Sequence, residues 1–237
     1  FQKTEGNTFF TIQLLTVLFE ENILFRNSEG IWEWNEKLLQ ERNISDNVVD
    51  FLEQKIGNLK PQTQSLLKIA ACLGDAFDLK TLSLLAEEKT NAVAGELSDA
   101  VNLGYLISTD ENLDAFFRTV SDIEENELAA FNNARFRFSH DRIRQAALMQ
   151  VGETELAQLN LNAARIKMSN LREQEKEDEI FYIANHFIAG EKLIQEQNEL
   201  MQLANCSYRA GVKARNSSAY DAAINYFDAA KRHLSFN

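Results

Sequence analysis

The chain has 237 residues, enough for one large domain or two to three small ones at roughly 150 residues per domain. Hydrophobic residues at 45% and charged residues at 25% match the globular averages of about 45–50% and about 25%, which argues against disorder for the bulk of it. Lys+Arg 24 against Asp+Glu 36 leaves a formal net charge of -12. A field of that sign repels nucleic acid and anionic lipid, so neither is an expected partner.

The 9 glycines and 1 proline fall well below the roughly 17 and roughly 12 that average usage gives. Such a scarcity of turn residues disfavours an all-β sandwich or barrel, and the expected fold class is mainly α. Apolar positions Phe10, Leu14, Leu15, Leu18 and Phe19 recur at helical spacing between Asn7 and Phe25. Next, Asn27-Ser28-Glu29-Gly30 is a turn signal between the alternating residues Ile23, Phe25 and Ile31, Trp32, Trp34, which predicts a small hairpin. Ser45 and Asp46 precede the periodic stretch Val48, Val49, Leu52, Ile56, Leu59, a capped helix ending near Gly57-Asn58. Pro61 suits a first helical turn, so a domain boundary is placed near Leu59-Lys60-Pro61.

Three helices follow, ending at Gly74, across Leu79–Glu88 and across Asn91–Asn102. A β-like run, Tyr105-Leu106-Ile107-Ser108, comes next, and Arg135-Phe136-Arg137-Phe138-Ser139 alternates at the strand period. Three helices and then two strands is the order of a winged helix. The acidic connector Asp110 to Asn133 is too long for a tight turn, and Ile123–Phe131 inside it suits a short helix. Beyond Asp141 only helical patterns occur: Ile143–Val151, Glu155–Met168, Asp178–Phe187, Glu199–Ala214 and Ala219–Leu234. A charged segment, REQEKEDE, reads as a loop between two of them. The last pair alternates small Ala with large Tyr or Phe, similar to tetratricopeptide packing. The expected division is residues 1–60, 61–150 and 151–237.

Candidate chemistry is sparse. No G-x-x-x-x-G-K-[ST] run is present to cradle phosphates, so this stretch alone is not expected to be an enzyme that hydrolyses nucleotide. His140, His186 and His233 share no metal-ligand spacing with each other or with Cys72 and Cys206, and no metal is expected. The two cysteines lie in apolar runs and read as reduced, buried thiols of a cytoplasmic protein. Asp122, Glu124 and Glu125 read as a solvated charge run. No apolar stretch of about 20 residues offers a membrane span, and FQKTEGNTFF lacks a secretory leader pattern. Without an initiator Met, the sequence reads as a piece of something longer. The third helix of the winged-helix order carries Lys89 against Glu96 and Asp99 and no Arg for guanine edges, which speaks against DNA.

Two segments converge on a family. GNTFFTIQLLTVLFEENIL resembles the G-N-P-F-F helix that follows the nucleotide-binding core of STAND signal-transduction ATPases, and FRFSHDRIRQAA resembles their F-x-F-x-H-D-x-x-x-x-A-A signature. Between them, DNVVDFLEQKIGNLKPQTQSLLKIAACLGDAFDLKTL is similar to the stretch joining lid and winged helix in large bacterial sensor kinases of this type. Those kinases combine a Ser/Thr kinase-like domain, a STAND ATPase, helical repeats, a GAF domain and a histidine kinase.

The resemblance implies lid helices, a winged helix and the start of tetratricopeptide-like repeats, with ADP or ATP as cofactor of the parent protein. Carried over, His140 contacts the β-phosphate of ADP and holds a closed state, and Asp141 shapes the start of its helix. Gly6 and Asn7 match the adenine-side motif, and Thr8 stands at the adenine-packing position where the family has proline, without that residue's rigid apolar ring. The alternative for His140 is a cap or packing residue at the strand–helix junction, and Arg142 and Arg144 read as solvated or salt-bridged before they read as phosphate ligands. Implied partners are a nucleotide-binding core of the same parent chain and proteins docked on the helical repeats. Two rival functions remain, the DNA-binding part of a STAND transcription activator and a protein-interaction scaffold with a degenerate nucleotide site.

Overall fold

A computed structural model of the chain describes residues 8–41, 48–109 and 134–234. The expected cap at Ser45 and Asp46, the connector with its Ile123–Phe131 helix and its carboxylates, and Gly6 and Asn7 lie outside the described residues. The described residues are mainly helical, with twelve α-helices and two small antiparallel sheets. Two compact units divide the chain, Phe1–Asn58 and Leu59–Asn237.

In the first unit, α1 (Thr8–Glu20) buries Val17 and Leu18, and the chain turns at Asn22 in the left-handed region (φ 56) before burying Ile23. Asparagine tolerates that conformation better than most side chains. The small hairpin that the sequence predicts is present: β1 (Leu24–Arg26) pairs with β2 (Trp32–Trp34), in the register Leu24↔Trp34, Phe25↔Glu33 and Arg26↔Trp32. The turn closes because Asn27 Oδ1 accepts from the backbone N–H groups of Glu29 and Ile31, both at 3.0 Å, while Gly30 takes φ 79. A helix the sequence does not announce, α2 (Glu36–Glu41), starts on the Asn35 side chain, which accepts from the Leu38 N–H at 3.2 Å. α3 (Val48–Gly57) buries Leu52 and Ile56, and its Lys55 meets Glu20 at 2.7 Å.

The second unit begins with α4 (Pro61–Leu73), which has Pro61 in its first turn. β3 (Ala76–Asp78), α5 (Leu79–Ala86), α6 (Thr90–Asn102), β4 (Leu106–Ser108) and β5 (Arg135–Phe138) follow. The three strands form an antiparallel sheet in the order β3, β5, β4, so the segment contains one strand more than the sequence suggests. Only three residues long, β3 carries a single buried side chain, Phe77, too little to display a period of two. Phe77 stacks on Phe136 with ring centroids 6.0 Å apart, and Phe138 lies 6.1 Å away, so the aromatic face of β5 closes the sheet onto the helices.

Beyond the sheet run α7 (Asp141–Met149), α8 (Glu153–Asn170), α9 (Glu173–Asp178), α10 (Ile180–Gly190), a 3-10 turn (Glu191–Leu193), α11 (Gln197–Asn216) and α12 (Tyr220–His233). The REQEKEDE segment is therefore not a loop: it contains α9. Its charges pair locally, Lys176 with Glu173 at 2.8 Å, and the Glu175 carboxylate accepts from the Arg172 N–H at 2.8 Å, which closes the first turn. The core of this region gathers Leu161, Ala164, Ile183, Phe187, Leu203 and Ala210. Cys72 and Cys206 are free and buried, and burial pushes their thiols up to about 12 and about 11, so neither is a nucleophile at neutral pH. Residues 61–150 and 151–237 share this second unit.

Candidate functional site

The alternating burial of β5 turns Phe136 and Phe138 inward and Arg135 and Arg137 outward. After the strand ends at Phe138, the Ser139 N–H donates to the Tyr105 carbonyl at 3.0 Å, and the next residue, His140, is the N-cap of α7 in an extended conformation (φ -151, ψ 140). His140 Nδ1 accepts from the Arg142 backbone N–H at 3.2 Å. A ring nitrogen that accepts carries no proton, so in the neutral ring the proton sits on Nε2 and makes that atom a donor. The ring is half-buried, not sealed.

Around it, Asp141 is exposed and occupies the first helical position. Its carboxylate accepts from Gln145 Nε2 at 2.8 Å, with the Arg144 guanidinium 4.0 Å away. Arg144 straps α7 to α4 by donating to the Ala71 carbonyl at 3.0 Å and by pairing with Asp75 at 3.2 Å. The exposed Arg142 side chain donates to Gln145 Oε1 at 2.9 Å. Both arginines thus have engagements within the chain. Thr8 is the exposed first residue of α1 and belongs to the other compact unit.

A second cluster carried no sequence signal. Lys167 on α8 is 8% exposed and reaches Asp78 at 3.0 Å and Glu179 at 2.9 Å, with its ammonium 5.3 Å from the Tyr182 ring centroid. Asp78 also caps α5, accepting from the Thr81 N–H at 2.7 Å and hydroxyl at 2.8 Å. Burial alone raises the Asp78 carboxyl, but the Lys167 charge and the Thr81 bonds outweigh it and hold it below its ordinary range. Burial likewise works against the Lys167 ammonium, and Asp78 and Glu179 reverse that. These groups line a cavity of about 340 Å³ where the sheet meets α8 and α10.

Beside it, His186 on α10 is buried with Nδ1 2.6 Å from Asn160 Oδ1, while Asn160 Nδ2 donates to the Leu156 carbonyl at 2.7 Å. The amide orientation makes Nδ1 the donor. Burial pushes His186 down to about 4 from an ordinary 6.5, against the opposing pull of the Leu73 carbonyl, with the Lys167 and Arg144 charges adding to the fall. Because the unfolded chain binds this proton at higher pH than the folded one, its contribution is complete above about 6.5 and is lost as pH falls toward about 4, roughly 3 kcal/mol in all. The expected result is a smaller fall in melting temperature between about pH 7 and about pH 4.5 for His186→Gln than for the wild type. Equal falls would show that His186 is not the acid-sensitive group.

Among the described residues no group of three or more His, Cys, Asp or Glu is placed to hold a metal ion, and no helix is long and apolar enough to cross a membrane. The described residues define a mainly helical protein whose sheet-bearing segment and following helices share one unit, with a helix-capping histidine at their junction. Over 264 aligned residues, covering 96% of this chain, it is 29% identical to a protein of Dictyostelium discoideum, the hybrid signal transduction histidine kinase G. The chain spans 8% of that protein's length. No protein-family model and no solved structure matches the chain.

Proposed function

We propose that this chain is a regulatory, nucleotide-state-sensing segment of a STAND-type ATPase within a multidomain sensor kinase. The signalling setting is supported by similarity along 96% of the chain to part of a hybrid signal transduction histidine kinase. The helix–strand–helix–helix–strand–strand order of residues 61–138, with its β3, β5, β4 sheet, supports a winged helix there, and the helices from α8 onward support the start of a repeat array. α6 offers Glu96 and Asp99, which favours a protein-facing winged helix over a DNA-reading one.

The observation that carries the reading is the commitment of His140 Nδ1 to the α7 cap, which makes Nε2 the donor at a helix N-terminus, where a phosphate oxygen is favoured. ADP held in a core elsewhere in the parent chain supplies that oxygen. His140 then stabilises the closed state through an interaction absent from the open one, and exchange for ATP releases it. Asp141 keeps its charge turned to Gln145 and Arg144. Helical repeats pass the change to an output domain, and the parent works in the cytoplasm. Thr8, standing where the family has proline, favours the second reading, a scaffold with a degenerate nucleotide site.

A pair of substitutions in the intact parent tests the latch against the simple cap. His140→Ala removes both roles, whereas His140→Ser keeps a cap acceptor and removes the Nε2 donor. If His140 is a latch, both variants release a fluorescent ADP about tenfold faster than wild type and raise basal output. Wild-type release from His140→Ser would leave only the cap.

A further inference from the structure

The helical side of the second unit carries a groove of about 220 Å³ between α4, the end of α5 and the first turns of α6. Its floor is apolar, with Leu66, Ile69, Ala86 and Val93, and two carboxylates stand at its edge, Glu88 and Glu96. No Lys, Arg or His is among the residues that line it. Glu96 is steadied by the Thr63 hydroxyl at 3.3 Å, a single bond that leaves most of its acceptor capacity unused. Lys60, at the start of α4, is held by Asp99 at 2.9 Å and interacts with Glu96 only through the weaker, longer-range attraction of its charge.

An apolar floor under an acidic edge, with no cation in the lining, is complementary to a side chain with an aliphatic stem and a cationic tip. The volume suits one long side chain rather than a whole helix. Arginine meets these demands better than lysine, because its guanidinium is less strongly hydrated, binds carboxylates through two N–H groups and lets its stem lie on hydrocarbon. The net charge of -12 also draws a basic segment toward this chain at long range. We infer that the α4–α5–α6 groove receives an arginine side chain presented by a partner protein, with its stem on Leu66, Ile69 and Val93 and its guanidinium between Glu88 and Glu96. This inference does not depend on the nucleotide reading.

Methyl NMR of the full 237-residue chain, followed at Ile69 and Val93, tests it with N-acetyl-arginine amide as probe and N-acetyl-norleucine amide as the uncharged control. The expected result is a saturable shift of both methyls by the arginine probe and binding about tenfold weaker for norleucine. A comparable loss is expected for arginine binding to the Glu88→Gln/Glu96→Gln variant. Glu88→Gln alone, at an exposed position, keeps the test standing if the double variant does not fold. Unmoved methyls, equal binding of the two probes, or undiminished arginine binding by the variant would overturn the inference.

Discussion

Lys167→Met is expected to destabilise the protein by about 3 kcal/mol, because it leaves two partly buried carboxylates facing each other without the cation between them. Methionine fills much the same volume, so the loss is electrostatic and not a cavity. Arg135, 3.7 Å from Glu179, relieves a fraction of it, which places the expectation at the lower end for a broken buried pair. Adding Asp78→Asn and Glu179→Gln removes the stranded charges while keeping a side-chain acceptor at the α5 cap, and should restore most of the stability. Acid should act the same way: the gap between wild type and Lys167→Met narrows as pH falls and the carboxyls bind protons. Urea unfolding of the three proteins measures this. A cost below about 1 kcal/mol, or no recovery in the triple variant, would show that the cluster is solvated and contributes little.

Gly190→Ala is expected to cost about as much for a different reason. A Cβ at Gly190 would lie 2.6 Å from Leu161 Cβ, 2.9 Å from the Leu161 nitrogen and 3.0 Å from the Ala157 carbonyl oxygen. Two of these atoms are backbone of α8, so the overlap is relieved only by moving α10 away from it. Phe187 and Ile183 would lose packing with that movement. Gly211 makes a useful comparison, since its Cβ would meet the Phe227 ring at 2.6 Å and no backbone. A ring at the end of a side chain turns aside at lower cost. Melting temperature is therefore expected to fall by about 9 °C for Gly190→Ala and about 3 °C for Gly211→Ala, using roughly 3 °C per kcal/mol for a chain of this size. The reverse order would mean that α8 and α10 separate more easily than the Phe227 ring rotates.

Most features that depend on neighbours along the chain were legible in the sequence alone. The helices follow apolar spacing, the hairpin follows Asn27 and Gly30, and the start of α7 follows a polar residue set between an alternating strand and a helical run. Each is settled by bonds spanning a few residues, which a linear pattern records. α9 shows the limit of that rule. Its charged residues look like loop residues until the Lys176–Glu173 pair and the Arg172 bond to Glu175 are seen to close a helical turn. β3 forms because β5, 59 positions beyond Phe77 at Phe136, supplies its hydrogen-bond partners. Asp78 and Lys167 are 89 positions apart, and His186 and Asn160 are 26 apart. Only chain folding makes them neighbours, and only burial turns their ordinary charges and amides into high-cost groups that must be paired. Local periodicity specified the longer helices, and the tertiary structure decided which polar groups hold the sheet-bearing segment to the helices that follow.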